Sequence, residues 1–333
     1  MNFKSAAILG SGSFGTAIAK LLAPKLGEIL IIGRDAEVAR GINENHRNPI
    51  YLSDVALPHH VIAGTDVAAA ASYPLLIFAV PTSATRRCAG EIAKAGLSGS
   101  AVLLSCAKGI EKDTGDRMSE ILGELLPGNP VAVLSGPNHA EELAKGQPAC
   151  AVIGSENAAV ADALQELFTL PHFRPYTSTD LAGIELGGAI KNVYAIAAGI
   201  AHGLGLGDNA VAALVTRALA EMTRLGIALG GNIETFAGLS GVGDLLVTCF
   251  SEHSRNHRVG LALGQGKTLE DAISKLGMVA EGVPNTLSIY EASQRAGVRT
   301  PIIDAVHSIL YQGKPAAEAL MELLSRDTRT ECE

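Results

Sequence analysis

Tryptophan is absent from the 333 residues, and aromatic residues together make up only 4%. A core must therefore come from small and branched side chains. The 37 glycines and the abundant alanine and β-branched residues suit closely packed α/β layers. Positive charge is not in excess either, since the net charge is −8. That argues against a general nucleic-acid binder and against docking on an anionic membrane. It leaves an anionic small substrate open, because a site is governed by its local charges. Cysteines are few and scattered (Cys88, Cys106, Cys150, Cys249 and Cys332), odd in number and without a C-x-x-C pair. They read as reduced thiols of a cytosolic protein, not a disulfide framework or zinc site. No run reaches the ~18 uninterrupted apolar residues of a membrane span. The apolar run in MNFKSAAILGSG is too short for a signal peptide. The expectation is a cytoplasmic protein with no membrane insertion and no nucleic-acid partner.

What is present is a hydrophobic fraction of 47% against 18% charged, enough for a large core. In the first half, short apolar runs end in Gly, Pro or Ser: AAILG (6–10), EILIIG (28–33), LLIFAV (75–80), AVLLSCA (101–107), VAVLSG (131–136) and ACAVIG (149–154). Such continuous runs predict strands buried on both faces of a parallel sheet. Helical patterns lie between them, as in TAIAKLLAPKL (16–26) and DRMSEILGELL (116–126). The alternation predicts an α/β Rossmann-type doubly wound sheet. After about Thr177 helical periodicity takes over, clearest in AVAALVTRALAEMTRLGIAL (210–229). We divide the chain into a dinucleotide-binding domain, 1–178, and an all-α substrate-binding and catalytic domain, 179–333, expected to pack tightly and to form a homodimer.

The first strand runs into Gly10-Ser-Gly12-Ser13-Phe14-Gly15 and then a helix. This is G-x-G-x-x-G in its required context. The first glycine makes the tight turn, the second lets backbone approach a pyrophosphate, and the third lets helix and strand pack closely. Free N–H groups at the helix start complete the phosphate site. The second strand ends in Arg34-Asp35. A guanidinium suits a 2′-phosphate and a carboxylate suits ribose hydroxyls, so NADP is favoured with NAD tolerated. Both residues also read as solvated loop charges. Pro81, Lys108 and the segment Gly136-Pro-Asn138 follow successive strands, where such sheets bind ligands. Asn138, three residues before Glu141, reads equally as a helix cap with its capping-box partner.

Three polar clusters interrupt the apolar helices of the second half. Lys191-Asn192 stands inside GGAIKNVYAIAAGI. Asp244 and Thr248 are four apart and share a helical face. Ser254-Arg255-Asn256 marks a helix start, with Ser254 as N-cap and Arg255 as a phosphate donor. Asp244 after two glycines also reads as a plain cap. His202, His253 and His257 show no H-x-x-x-H or Cys/His set for a metal. GQGKT (264–268) resembles a Walker loop tail, but Leu261 stands where its first glycine belongs and no strand precedes it. Lys191 is the sharpest candidate. Burial lowers a lysine pKa while a nearby Asp244 raises it. A move from ~10.4 toward ~8, roughly 3 kcal/mol, yields an amine that donates or accepts a proton near neutrality.

Taken together, GSGSFGTAIA, KGIE, SGP, ELGGAIKN-Y-AIAAGI-HGLGLGDN, TRALAEM-RLG, GL-G-GDL--TC-S--SRN and EGV resemble the bacterial NAD(P)-dependent glycerol-3-phosphate dehydrogenases. The resemblance runs from about residue 6 to about residue 325. It implies a helical domain like that of 6-phosphogluconate dehydrogenases. It also implies an oxidoreductase that reversibly reduces dihydroxyacetone phosphate to sn-glycerol 3-phosphate for phospholipid biosynthesis. By the family pattern Lys191 is the proton donor and acceptor. Lys108, Gly136, Asn138, Asp244, Ser254, Arg255 and Asn256 line the substrate by that pattern, and we expect Asn192, Asp244 and Thr248 to orient the lysine and the substrate hydroxyl. Gly10, Gly12, Ser13, Phe14, Gly15, Arg34, Lys108, Ala140, Arg255, Val279 and Glu281 touch the cofactor. No metal is implied. Three positions depart from the pattern: Ile32 replaces an aromatic, Asn138-His139 replaces a small or hydroxyl residue followed by Phe, and Ala218 replaces glycine. Two other readings remain: a related β-hydroxyacid or 6-phosphogluconate-type dehydrogenase, and a non-catalytic dinucleotide-sensing protein.

Overall fold

The structure, a computed structural model, describes residues 1–274, 280–326 and 330. One sheet holds β1 (Ser5–Leu9), β2 (Glu28–Ile32), β3 (Val61–Gly64), β4 (Leu75–Phe78), β5 (Val102–Ser105), β6 (Val131–Ser135), β7 (Ala149–Gly154) and β8 (Phe173–Ser178). Their order is β3-β2-β1-β4-β5-β6-β7-β8. The order reverses between β1 and β4, which opens a crevice at the carboxyl ends of those two strands. Strands buried on both faces divide their side chains by parity. Ile8 and Ile31 face the helices α1 (Ser13–Leu22) and α6 (Ala158–Phe168). Leu9, Ile32 and Phe78 face α3 (Thr82–Ala95) and α4 (Met118–Leu125).

The expectation of a wholly parallel sheet needs one correction. β7 runs antiparallel to β6, with Val133 opposite Gly154. Their connection carries only the five-residue helix α5 (Ala140–Ala144), short of the full helix that usually carries a parallel crossover. Two strands escaped the sequence reading. β3 is a four-residue edge strand, and β8, at the opposite edge, alternates buried with exposed residues.

Among the described residues no strand follows Ser178. α7 (Leu181–Gly203) forms the axis of the helical half, and every residue from Gly183 to Ala201 is buried. Around it pack α8 (Asp208–Ala228), α9 (Ile233–Phe236), α10 (Asp244–Phe250), α11 (Arg255–Gly264) and α13 (Gly282–Arg295), with α12 (Leu269–Ser274) against α11. Glycine and alanine on α7 let these neighbours approach closely. A Cβ on Gly199 would lie 2.0 Å from the His257 carbonyl oxygen, and one on Gly260 2.0 Å from that of Ile196. α7 and α11 therefore meet backbone to backbone, which fixes where α11 begins. By length and composition Leu181–Gly203 and Ile233–Phe250 are apolar enough to cross a bilayer. The first is 94% buried, as a core helix must be.

Candidate active site

The glycine loop is built as its sequence requires. Gly10 has φ of +121°, and a Cβ there would lie 2.4 Å from the Ala79 carbonyl oxygen. A Cβ on Gly15 would meet the Gly10 carbonyl at 1.9 Å, whereas one on Gly12 would meet nothing within 4 Å. Tight packing at two glycines and open space at the middle one suit a pyrophosphate against the first turn of α1. From there a cleft of about 810 Å³ runs past the ends of β1, β4 and β5 to α7, α10 and α11. It is lined by Ser13, Phe14, Arg34, Lys108, Asn138, Ala140, Lys191, Asn192, Thr248, Ser254, Arg255, Asn256 and Glu281. Val279 lies outside the described residues. A larger apolar cavity, about 920 Å³, lies among α7, α8, α14 (Pro301–Tyr311) and α15 (Ala316–Leu324) and contains neither Lys108, Lys191 nor Asp244.

Lys191 sits midway along α7 and is 4% exposed. Its Nζ donates to Asp244 Oδ1 at 2.8 Å and to Thr248 Oγ1 at 2.5 Å. Thr248 Oγ1 donates its own hydrogen bond to the Asp244 carbonyl. An ammonium has three protons, so one N–H of Lys191 stays uncommitted among the described residues. Burial lowers its pKa, Asp244 raises it and Lys108 lowers it again, leaving it at about 8. Asp244, 1% exposed, is shared. Its Oδ2 accepts from Lys108 Nζ at 2.8 Å. Burial pushes this carboxyl up, but the two ammoniums outweigh burial and hold it below the usual range. A turn at Leu239–Gly243 aims it, and a Cβ on Gly187 of α7 would lie 2.5 Å from the Ser240 carbonyl in that turn.

Lys108 spends all three protons, on Asp244, on the Gly136 carbonyl at 2.9 Å and on Asn138 Oδ1 at 2.9 Å. This corrects the capping reading of Asn138. His139 is the residue preceding α5, without a side-chain cap, and the Asn138 amide is turned to Lys108 instead. Asn138 is 4% exposed, and its Nδ2 has no hydrogen-bond partner among the described residues. His139 Nε2 is likewise buried without a partner, and burial lowers the ring's pKa. Ser254 does cap α11, accepting from His257 N at 3.2 Å. Glu281 immediately precedes α13, where burial raises its pKa.

Asn192 does not bond the lysine beside it. Its Nδ2 donates to the Lys108 carbonyl at 2.9 Å, and its Oδ1 accepts from Asn256 Nδ2 at 2.9 Å. Asn256 Oδ1 in turn accepts from Gly282 N. A buried amide chain thus joins the Lys108 loop, α7, α11 and α13. The sequence reading missed Asn285, whose Oδ1 accepts from Ile110 N and whose Nδ2 donates to the Ala189 carbonyl. Its one signal is an amide on an otherwise packed helix. His202 and His257 bond each other at 2.7 Å. Among the described residues no group of three His, Cys, Asp or Glu is placed to hold a metal.

A family model described as NAD-dependent glycerol-3-phosphate dehydrogenase N-terminus matches residues 5–161, and its C-terminal counterpart matches residues 180–321. The chain is 44% identical to a glycerol-3-phosphate dehydrogenase (NAD(P)+) of Clostridium perfringens over 328 residues, 98% of each chain. A namesake from Desulfitobacterium hafniense is 43% identical over 98% of this chain and 93% of its own. The crystal structure of glycerol-3-phosphate dehydrogenase from Coxiella burnetii superposes with a TM-score of 0.94 at 34% identity, covering 98% of this chain and all of the other.

Proposed function

We propose, from the premise that the chain belongs to the NAD-dependent glycerol-3-phosphate dehydrogenase family, that Lys191 is the group that moves the proton in its reaction. The reaction is reversible and NAD(P)-dependent, between dihydroxyacetone phosphate and sn-glycerol 3-phosphate. When bound, the dinucleotide supplies or takes the hydride at the substrate's central carbon. As that carbon gains a C–H bond, the carbonyl electron pair withdraws onto oxygen, and Lys191 Nζ delivers a proton there. The observation that carries this is the buried ammonium with a pKa of about 8 and one uncommitted N–H. Asp244 keeps the amine charged in a dry site, and Thr248 fixes its direction. Lys108, with no proton to spare, stabilises the growing negative charge as a fixed cation.

The remaining roles follow from chemistry and position. Asn138 Nδ2 is a buried donor in search of an acceptor, and a substrate oxygen satisfies it. The first-turn N–H groups of α11 and the Arg255 guanidinium hold the phosphate. Asn192 and Asn256 act at one remove, by holding the Lys108 loop and α11 in register. Gly12, Ser13 and Phe14 cradle the pyrophosphate. The work divides between residues 1–178 and 179–333. NADPH is the favoured cofactor, supported by Arg34 and by the use of Asp35 Oδ1 in capping α2 (Ala36–Asn45). The protein works in the cytoplasm as a homodimer joined through the helical half, where Ile227, Ile233 and Phe250 are exposed. Mixing protein, NADPH and dihydroxyacetone phosphate should consume reduced-nicotinamide absorbance. Lys191→Met should abolish that signal while leaving NADPH affinity in place. Normal turnover by the folded variant would remove Lys191 from the chemistry.

A further inference from the structure

The cleft does not end at the pyrophosphate loop. Beyond it lies a basic corner between the end of β2 and the first turns of α3, lined by Arg34, Arg87, Cys88 and Glu91. Arg34 makes no hydrogen bond or ion pair among the described residues. Arg87 stands on α3, its Nη1 2.7 Å from Glu91 Oε1 and its Nη2 3.8 Å from Cys88 Sγ. Both guanidiniums line the same end of the cleft as Cys88. Asp35, the acidic residue in place to bind ribose hydroxyls, uses one of its two oxygens as a helix cap, Oδ1 accepting from Glu37 N at 2.9 Å.

We propose that Arg87 is a specificity-determining residue, a second guanidinium that joins Arg34 on the adenosine 2′-phosphate of NADPH. The proposal rests on the NADPH reading above. A phosphate near dianionic charge offers three strong acceptors and suits two guanidinium forks. Glu91 serves as a stand-in anion. Its contact with Arg87 is an i,i+4 pair with both side chains about half exposed, the weakest class of ion pair, so a phosphate displaces it readily. With NADH the same corner offers the ribose hydroxyls one oxygen of Asp35 that is uncommitted among the described residues, its Oδ1 being used to cap α2, and there is no phosphate to bring the two guanidiniums into play.

The test compares KM for NADPH and NADH, with kcat, in the whole enzyme and in Arg87→Gln, Arg34→Gln and Glu91→Gln. Calorimetry with 2′,5′-ADP and 5′-AMP runs beside it. Arg87→Gln should shift the NADPH-to-NADH KM ratio about tenfold toward NADH, the loss of one charge-assisted bond. It should weaken 2′,5′-ADP and not 5′-AMP. Glu91→Gln should tighten 2′,5′-ADP by freeing Arg87. If Arg87→Gln leaves the ratio unmoved, or weakens both nucleotides equally, the role of Arg87 is overturned. The NADPH reading then survives as long as wild type prefers 2′,5′-ADP to 5′-AMP. A wild type that binds the two equally overturns both.

Discussion

Replacing Asp244 by asparagine keeps the shape of the site and deletes the charge between its two ammoniums. Lys191 and Lys108 each stand 2.8 Å from one of its oxygens. Two unit charges ~4 Å apart attract by about 4 kcal/mol at an effective dielectric near 20. Allowing for relaxation, a loss of ~2–3 kcal/mol lowers the lysine by about two pH units. Lys191 then falls from about 8 to about 6. At pH 7 the amine goes from about nine-tenths protonated to about one-tenth. The assay is the initial rate at saturating NADPH and dihydroxyacetone phosphate, from about pH 5 to about pH 10. Reduction needs the charged amine, so its rate should fall as pH rises through about 8 in wild type and through about 6 in Asp244→Asn. Oxidation of glycerol 3-phosphate needs the neutral amine, so its rising limb should move the same way. Adding Lys108→Met removes the repelling cation and should return both limbs toward higher pH. A thermal melt checks that the variants are folded. If Asp244→Asn lowers the rate equally at every pH and the limb stays near 8, the carboxylate only orients the site and the electrostatic reasoning is refuted.

Two further perturbations probe the rest of the site. Arg255→Ala should raise the KM for dihydroxyacetone phosphate at least ~tenfold through loss of a charge-assisted phosphate contact, and an unchanged KM would place the phosphate elsewhere. Gly199→Ala puts a Cβ 2.0 Å from the His257 carbonyl. It should cost about 1–3 kcal/mol of stability in a thermal or urea melt and raise the substrate KM by shifting α11. A variant with both values unaltered would show that this helix contact does not hold the phosphate site.

The strands legible in the sequence are those buried on both faces, since an apolar run such as LLIFAV announces itself. β3 and β8 were not: VIAG of β3 is only four residues long, and an edge strand such as β8 need not be apolar throughout. Arg174 and Tyr176 of β8 point outward and break the run. Strand direction is carried by the length of the connection, which is why β7 was read as parallel. Lys191 was legible because a lone amine in a helix without a polar face demands an explanation. Its neighbour Asn192 was legible as a site residue but not in its partners, because adjacency in sequence turns two helical side chains about a hundred degrees apart. The Asn138 cap was misread because a helix-start pattern fits several registers, and only folding brings Lys108 within reach of the amide.

The bonds joining Asn192 to the Lys108 carbonyl, Asn285 to Ile110 and Glu185 to Ser119 and Arg117 fasten the loop after β5 and the start of α4 to α7 and α13 of the other lobe. Asp244 adds a rivet at the reacting atoms themselves. Jaws pinned at the hinge and at the bite should gape little between turnovers. Reactants should then enter along the rim of a slot already assembled, and heat should undo both lobes in a single transition.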